Sequence, residues 1–315
     1  MQFEKHRGCL HSPPLLGCYK KETKDAIDSE HEYEYSLAVG AEEQRVHDVV
    51  TLFVQCWFRR FYTYTDIQVM QDERHLFRYK KNVQFESLGK HLFAESKLTN
   101  ESKYKRFVYT TVYSFMYLCE TLEIMCANKL MHGHLDIFDN VVIQTTSTNT
   151  CPQIADISFT FDDLVAKRYD FTNVFIPLEC HLLQYMTTRG LQSISEQNVD
   201  DLVYDVYAHH SLFDPVVAAE YGIKAHHYLN SFINASRDQI VKQVRKASET
   251  WDQFGLCANY MKVFLSVTSS TNYKKQIQMC IKMFMEEMHP NPGKRRRTAS
   301  DLKTTMKKIF CCKRV

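Results

Sequence analysis

Residues 132–158 carry the side chains best suited to chemistry. His132-Gly133-His134-Leu135-Asp136-Ile137-Phe138-Asp139-Asn140 runs into the apolar triplet Val141-Val142-Ile143, and Asp156 follows sixteen residues after Asn140, behind the apolar pair Ile154-Ala155. A carboxylate, a nearby amide and a second carboxylate are the residue types that phosphoryl transfer uses. One carboxylate orients the attacking hydroxyl, while the amide oxygen and the other carboxylate hold Mg2+ against the phosphates. The same stretch offers a second chemistry. His132, His134 and Asp136 alternate as half of a metal-dependent hydrolase's ligand set would, although Ile137 stands where such a set continues with another histidine. A third reading is an ordinary polar loop, because short clusters of His, Asp and Asn arise by chance.

A reactive loop needs elements on both sides to hold it. Upstream, Phe107, Thr111, Phe115, Leu118, Leu122 and Met125 form one stripe and predict a helix over 103–127. Tyr33, Tyr35, Leu37 and Val39 alternate and predict a strand at 33–39. Val46, Val49, Val50, Phe53, Val54 and Trp57 recur at helical spacing, which predicts an amphipathic helix over 41–58 with Glu42 and Glu43 where the helix dipole favours acids. Residues 61–85 read as strands, and Phe85-Glu86-Ser87-Leu88-Gly89-Lys90 as a turn leaving the last of them. Beyond the loop, helices are expected at 177–188, 198–209 and 236–250. A buried helix should follow from Trp251 to Val267, then a Met-rich one from Tyr273 to Met288, ended by Pro290-Asn291-Pro292-Gly293. A last short helix should run from Asp301 to Phe310 with Ser300 as its N-cap. The order predicts an α+β chain: a small β-rich part with one helix, then a larger helical part.

Composition narrows the classes. At 315 residues with 44% apolar content, the chain suits one large domain or two lobes. A formal charge of +2 gives no case for a nucleic-acid partner. No apolar run is long enough for a spanning helix, and residues 1–22 lack the apolar core of a signal peptide. Eleven scattered cysteines with no C-x-x-C pair point to a reduced, intracellular chain, where the sequons at Asn100 and Asn234 carry no glycan. Glycine is scarce, nine in all, and no G-x-G-x-x-G occurs. That matters because phosphate-cradling loops are built from glycine.

Several features take plain readings. His209-His210 and His226-His227 read as surface or packing residues. Met279, Met283, Met285 and Met288 read as core, where Met fills irregular gaps. Lys294-Arg295-Arg296-Arg297 reads as a solvated face, with a nuclear-import or phosphate patch as the alternative. Cys311-Cys312-Lys313-Arg314-Val315 reads as an unmodified tail; acylation would give it weak membrane contact.

Together these segments resemble the protein-kinase fold, and in look are closest to the serine/threonine protein kinases encoded by herpesviruses. His134-Leu135-Asp136-Ile137 and Asn140-Val141-Val142-Ile143 look like the catalytic loop. Asp156-Ile157-Ser158 looks like the metal-binding motif with Ser in place of Gly. Glu86-Ser87-Leu88-Gly89-Lys90 looks like the hinge after the fifth strand. Trp251-Asp252-Gln253-Phe254-Gly255-Leu256 looks like the start of the large lobe's buried helix, whose Asp braces the catalytic loop. Arg296-Arg297-Thr298-Ala299-Ser300-Asp301-Leu302 resembles the R-x-T-A-x-x-L ending of kinase domains.

The resemblance covers about 80–310 and implies a two-lobed fold: a reduced N-lobe over 1–86, a helical C-lobe over 87–310 and a tail over 311–315. It implies ATP and Mg2+ as cofactors, a protein substrate or partner, and a place in the host cytoplasm or nucleus. By transfer, Asp136 orients the substrate hydroxyl, Asn140 and Asp156 hold Mg2+, and His134, Asp252 and Arg296 are structural. Glu86 sits at the nucleotide hinge. Lys20, Lys21 and Lys24 are phosphate-pairing lysines by order alone, with Glu42 or Glu43 as partner; Asp200 and Asp201 rival Asp252. The chain departs from the family in three ways: Asp136 and Asn140 are one residue closer than usual, the glycine-rich loop is absent, and no V-A-x-K strand is visible. These departures support a pseudokinase, a catalytically weak or dead module that binds proteins, as the alternative.

Overall fold

The computed structural model describes residues 19–21, 32–37, 66–69, 75–80, 85–97, 101–127, 131–133, 135–144, 152–154, 161, 170–208, 210–267 and 273–311. The helix expected at 41–58 lies outside these residues, as do His134, Asp156, Lys24, Glu42, Glu43 and the tail from Cys312. The chain divides into two compact units, Met1–Ala94 with Asp136–Phe159, and Glu95–Leu135 with Thr160–Val315. Small antiparallel sheets in the first and helices in the second make the protein α+β.

The first unit holds two sheets. Strands β1 (Tyr19–Lys21), β2 (Glu32–Leu37), β3 (Asp66–Val69) and β4 (His75–Lys80) form an antiparallel sheet in the order β1-β2-β4-β3, with Tyr35 opposite Phe77 and Ile67 opposite the same Phe77. Strands β5 (Phe85–Ser87), β6 (Val141–Gln144) and β7 (Gln153–Ile154) form a second antiparallel sheet with β6 in the middle. Val141, Val142 and Ile143 are all buried. A strand covered on both faces reads as an unbroken apolar run rather than an alternating one, which is why the triplet after Asn140 is uninterrupted.

The turn expected over residues 85–90 is instead a strand running straight into helix α1 (Leu88–Ser96). Ser87 makes this possible. Its Oγ accepts from the Lys90 N–H at 3.3 Å and so caps the new helix.

The second unit is helical. Helix α2 (Glu101–Ala127) buries the expected stripe at Phe107, Thr111, Phe115, Leu118, Leu122 and Met125. Helices α3 (Leu178–Arg189), α4 (Glu196–Tyr207), α5 (Pro215–Leu229) and α6 (Arg237–Arg245) follow, then α7 (Trp251–Leu265), α8 (Lys274–Glu287) and α9 (Ala299–Cys311). Among the described residues no helix is long and apolar enough to cross a membrane. Caps set the boundaries: Ser195 with Asn198 opens α4, and Ser236 with Gln239 opens α6. The helix expected at 236–250 stops at Arg245 and resumes as a single 3-10 turn at Ser248–Thr250. Helix α5 was not among the sequence expectations. Thr298, not Ser300, caps α9: its Oγ1 accepts from the Asp301 N–H at 3.2 Å, and the Asp301 carboxylate accepts from the Thr298 N–H at 2.9 Å.

Helix α7 is the axis of this unit. Leu256, Cys257, Ala258, Tyr260 and Val263 are fully buried on several faces, and the Tyr260 ring meets Phe115 of α2 edge-on with centroids 5.0 Å apart. One position on α7 is crowded by backbone. A Cβ at Gly255 would lie 3.1 Å from the carbonyl oxygens of both Leu135 and Phe175. Alanine favours a helix over glycine by about 1 kcal/mol, yet Gly255→Ala is expected to lower stability by about 1–2 kcal/mol, because two backbone segments must give way. Thermal unfolding checks this; an unchanged or raised midpoint counts against it.

Candidate functional site

Of the residues singled out by the sequence, Asp136 and Asn140 lie in the strand unit and Asp252 in the helical unit. In the strand unit, Asp136–Asn140 is a closed turn. The Asn140 N–H donates to the Asp136 carbonyl at 2.8 Å, and the Asp136 N–H donates to Asn140 Oδ1 at 2.9 Å. The Asp136 carboxylate accepts from the Phe138 N–H at 2.8 Å. The structure thus brings Asp136 and Asn140 together as partners in one loop. Asn140, 1% exposed, leads directly into the central strand β6.

The start of α1 fixes this turn. Ser87 Oγ lies 3.1 Å from the Ile137 carbonyl and 2.8 Å from that of Phe138, and the Gly89 N–H donates to Ile137 at 2.7 Å. Gly89 is required here, because a Cβ would stand 2.6 Å from the Phe138 ring. The segment expected to form a hinge therefore supports the loop. Glu86 itself is tied to His91 Nδ1 at 2.6 Å.

In the helical unit, α7 grips the preceding residues. The Asp252 carboxylate accepts from the His132 N–H at 2.8 Å and the Gly133 N–H at 2.6 Å. Asn259 Nδ2 donates to the Leu135 carbonyl at 2.7 Å. Asp252, Gly255 and Asn259 recur at helical spacing, so one stripe of a buried helix supplies two polar anchors and the gap between them. Burial pushes the Asp252 carboxyl up to about 6, against the pull of its two N–H donors. Gly255 and Asn259 were missed by the sequence reading. Their signal was available: small and polar residues at positions i+3 and i+7 from Asp252 on an otherwise apolar helix.

The other candidates are placed as follows. Lys20 and Lys21 lie on β1, opposite Tyr35 and Glu34. Asp200 and Asp201, the rivals of Asp252, are on α4, where Asp200 meets His226 at 2.8 Å and Asp201 meets Arg189 at 3.9 Å. Arg296 is exposed, and the structural arginine of that segment is its neighbour Arg295. Arg295 forks onto the buried Glu179 at 2.9 and 2.8 Å, because its backbone position, unlike that of Arg296, faces the core. Arg297 pairs with Glu286 and Glu287. For the hydrolase reading, His132 is buried, and among the described residues no three His, Cys, Asp or Glu side chains converge to hold a metal ion.

No protein family and no curated protein matches the sequence. Among solved structures, the chain is similar to the kinase domain of Mycobacterium tuberculosis PknI, with 8% identity over 88% of this chain and 84% of that one at a TM-score of 0.44. It is also similar to a Rad53 structure in complex with AMP-PNP, with 12% identity over 86% of this chain and 56% of that one at a TM-score of 0.39.

Proposed function

We propose that this chain is a protein-kinase-like domain that transfers the γ-phosphoryl group of ATP to protein hydroxyls, in the manner of the serine/threonine kinases of herpesviruses. The observation that supports it is the closed turn in which Asp136 and Asn140 hold each other at the entrance of a buried strand. Phosphoryl transfer relies on positioning and electrostatics more than on covalent chemistry, and such a turn provides positioning. In this reading Asp136 orients the substrate hydroxyl, and Asn140 and Asp156 are the oxygen donors that hold Mg2+, a cation that prefers such ligands. When bound, Mg2+ would neutralise charge on the phosphates. Asp252 and Asn259 steady the residues leading into the turn, and Lys20 or Lys21 would pair with the phosphates.

The test is incorporation of labelled phosphate from Mg-ATP into the chain itself, casein and histone. Activity is expected, with Asp136→Asn lowering it by about 100-fold or more. No incorporation into any acceptor, or activity indifferent to Asp136→Asn, would overturn the proposal.

A second reading, the pseudokinase, has its own support. Asn140 Oδ1 already accepts from the Asp136 N–H, and the Asp136 carboxylate from the Phe138 N–H, so both side chains have structural duties. The sequence also lacks a glycine-rich loop. This reading predicts weak or absent thermal stabilisation by Mg-ATP. A midpoint raised by several degrees at millimolar nucleotide would count against it.

A further inference from the structure

Helices α4 and α5 enclose an open groove of about 790 Å3 that has no part in the proposed phosphotransfer site. On α5 the small residues Ala218, Ala219 and Gly222 leave it space, and Tyr204, Tyr207, Phe213 and Ile223 line it together with His226 and His227. Tyr204 is 66% exposed, Ile223 73% and Val216, at the end of α5, 78%. Tyr204 and Ile223, so exposed and both lining the groove, form a patch that water-facing helices rarely carry without a partner. Pro215, Ala219 and Ile223 line the groove at four-residue steps along α5. The apolar strip therefore runs along the helix for roughly 10 Å, which suits an elongated occupant better than a compact one.

Charge narrows the occupant further. Helix α4 carries Glu196, Asp200, Asp201 and Asp205 and no lysine or arginine, while on α5 Glu220 is paired with Lys224 at 2.6 Å. We propose that the groove docks an amphipathic helix of a partner protein, with apolar anchors at i, i+3 or i+4, and i+7 and with lysine or arginine beside them. Anchors at that spacing match the strip, and the basic flank answers the net negative charge of α4, whose Val203, Tyr204 and Tyr207 line the groove. A second copy of this chain fits less well, because a two-fold contact across the groove brings two acidic α4 helices into one interface.

The experiment selects from a phage-displayed library of 18-residue helical peptides against the full chain, with Ile223→Glu as counter-selection, and then measures the enriched peptides by fluorescence anisotropy. Ile223 is exposed, so this variant is expected to keep the wild-type melting midpoint, and Tyr204→Ala provides an independent second test. The expected result is peptides with apolar anchors and basic flanks that bind wild type at least 10-fold more tightly than either variant and weaken as salt rises. Enrichment of acidic or extended peptides, binding indifferent to both variants, or no enrichment would overturn the proposal. So would a concentration-dependent dimer in sedimentation that Ile223→Glu abolishes, or binding confined to small apolar dyes.

Discussion

Asp252→Ala is expected to lower stability by on the order of 4 kcal/mol, because it strands two buried backbone N–H groups at once. The His132 and Gly133 amides donate to this carboxylate, which is 7% exposed. For a unit of this size that loss corresponds to a midpoint lower by roughly 10 °C. Asp252→Asn keeps one acceptor oxygen and turns an NH2 towards the other amide, so it is expected to lose about half as much. A change under about 2 °C for the alanine variant would show that the loop does not depend on α7.

The pH dependence has a definite sign. Burial raises the folded carboxyl to about 6 from an ordinary value of 3.8. A raised folded value means that folding takes up a proton, so this group's contribution is fully present below about pH 4 and is lost as pH rises through about 6. The deficit of Asp252→Asn relative to wild type should therefore shrink across that window and level off above it. A deficit that grows with pH would mean that the two N–H donors outweigh desolvation.

The same residue marks where sequence was informative and where it stopped. An aspartate opening a long apolar helix is conspicuous, and α2 and α7 have periodic stripes long enough to find. Helix α5 escaped notice because Val216 and Ile223 face outward while Tyr221, Ala225, Tyr228 and Leu229 face the core. With apolar residues on both sides, its periodicity is blurred. Its start was nonetheless marked by Asp214-Pro215, with the Asp214 carboxylate accepting from the N–H groups of Val216 and Val217. Ser87 was read as part of a turn because a strand that passes into a helix without a loop has no sequence spacer. Thr298 and Ser300 are equally good caps by type, and only Asp301, three residues after Thr298, distinguishes them. The choice among Arg295, Arg296 and Arg297 could not be read at all. In an irregular segment, with no helical or strand period, the side chain that faces inward is set by packing alone.

That last choice has a large expected consequence. Arg295→Met should destabilise the helical unit by about 3–5 kcal/mol, since it leaves Glu179 charged and without its partner in the interior. The guanidinium does more than pair. Nη1 also donates to Thr250 Oγ1 at 2.9 Å, Nε donates to the His289 carbonyl at 2.9 Å, and the group lies 5.0 Å from the Phe254 ring centroid. It thereby ties the first turn of α3 to the approach to α7 and to the chain leaving α8. Arg295→Lys should recover little, because an ammonium cannot fork onto both carboxylate oxygens while holding Thr250 and His289. Glu179→Leu combined with Arg295→Met removes both charges together and should be less destabilised than Arg295→Met alone, since an unpaired buried charge is worse than none. Arg296→Met, exposed and one residue away, should stay within about 0.5 kcal/mol of wild type. Urea unfolding of the four variants decides the matter. Equal losses at 295 and 296, or a double variant worse than Arg295→Met alone, would show that the Glu179–Arg295 fork does not hold these segments together.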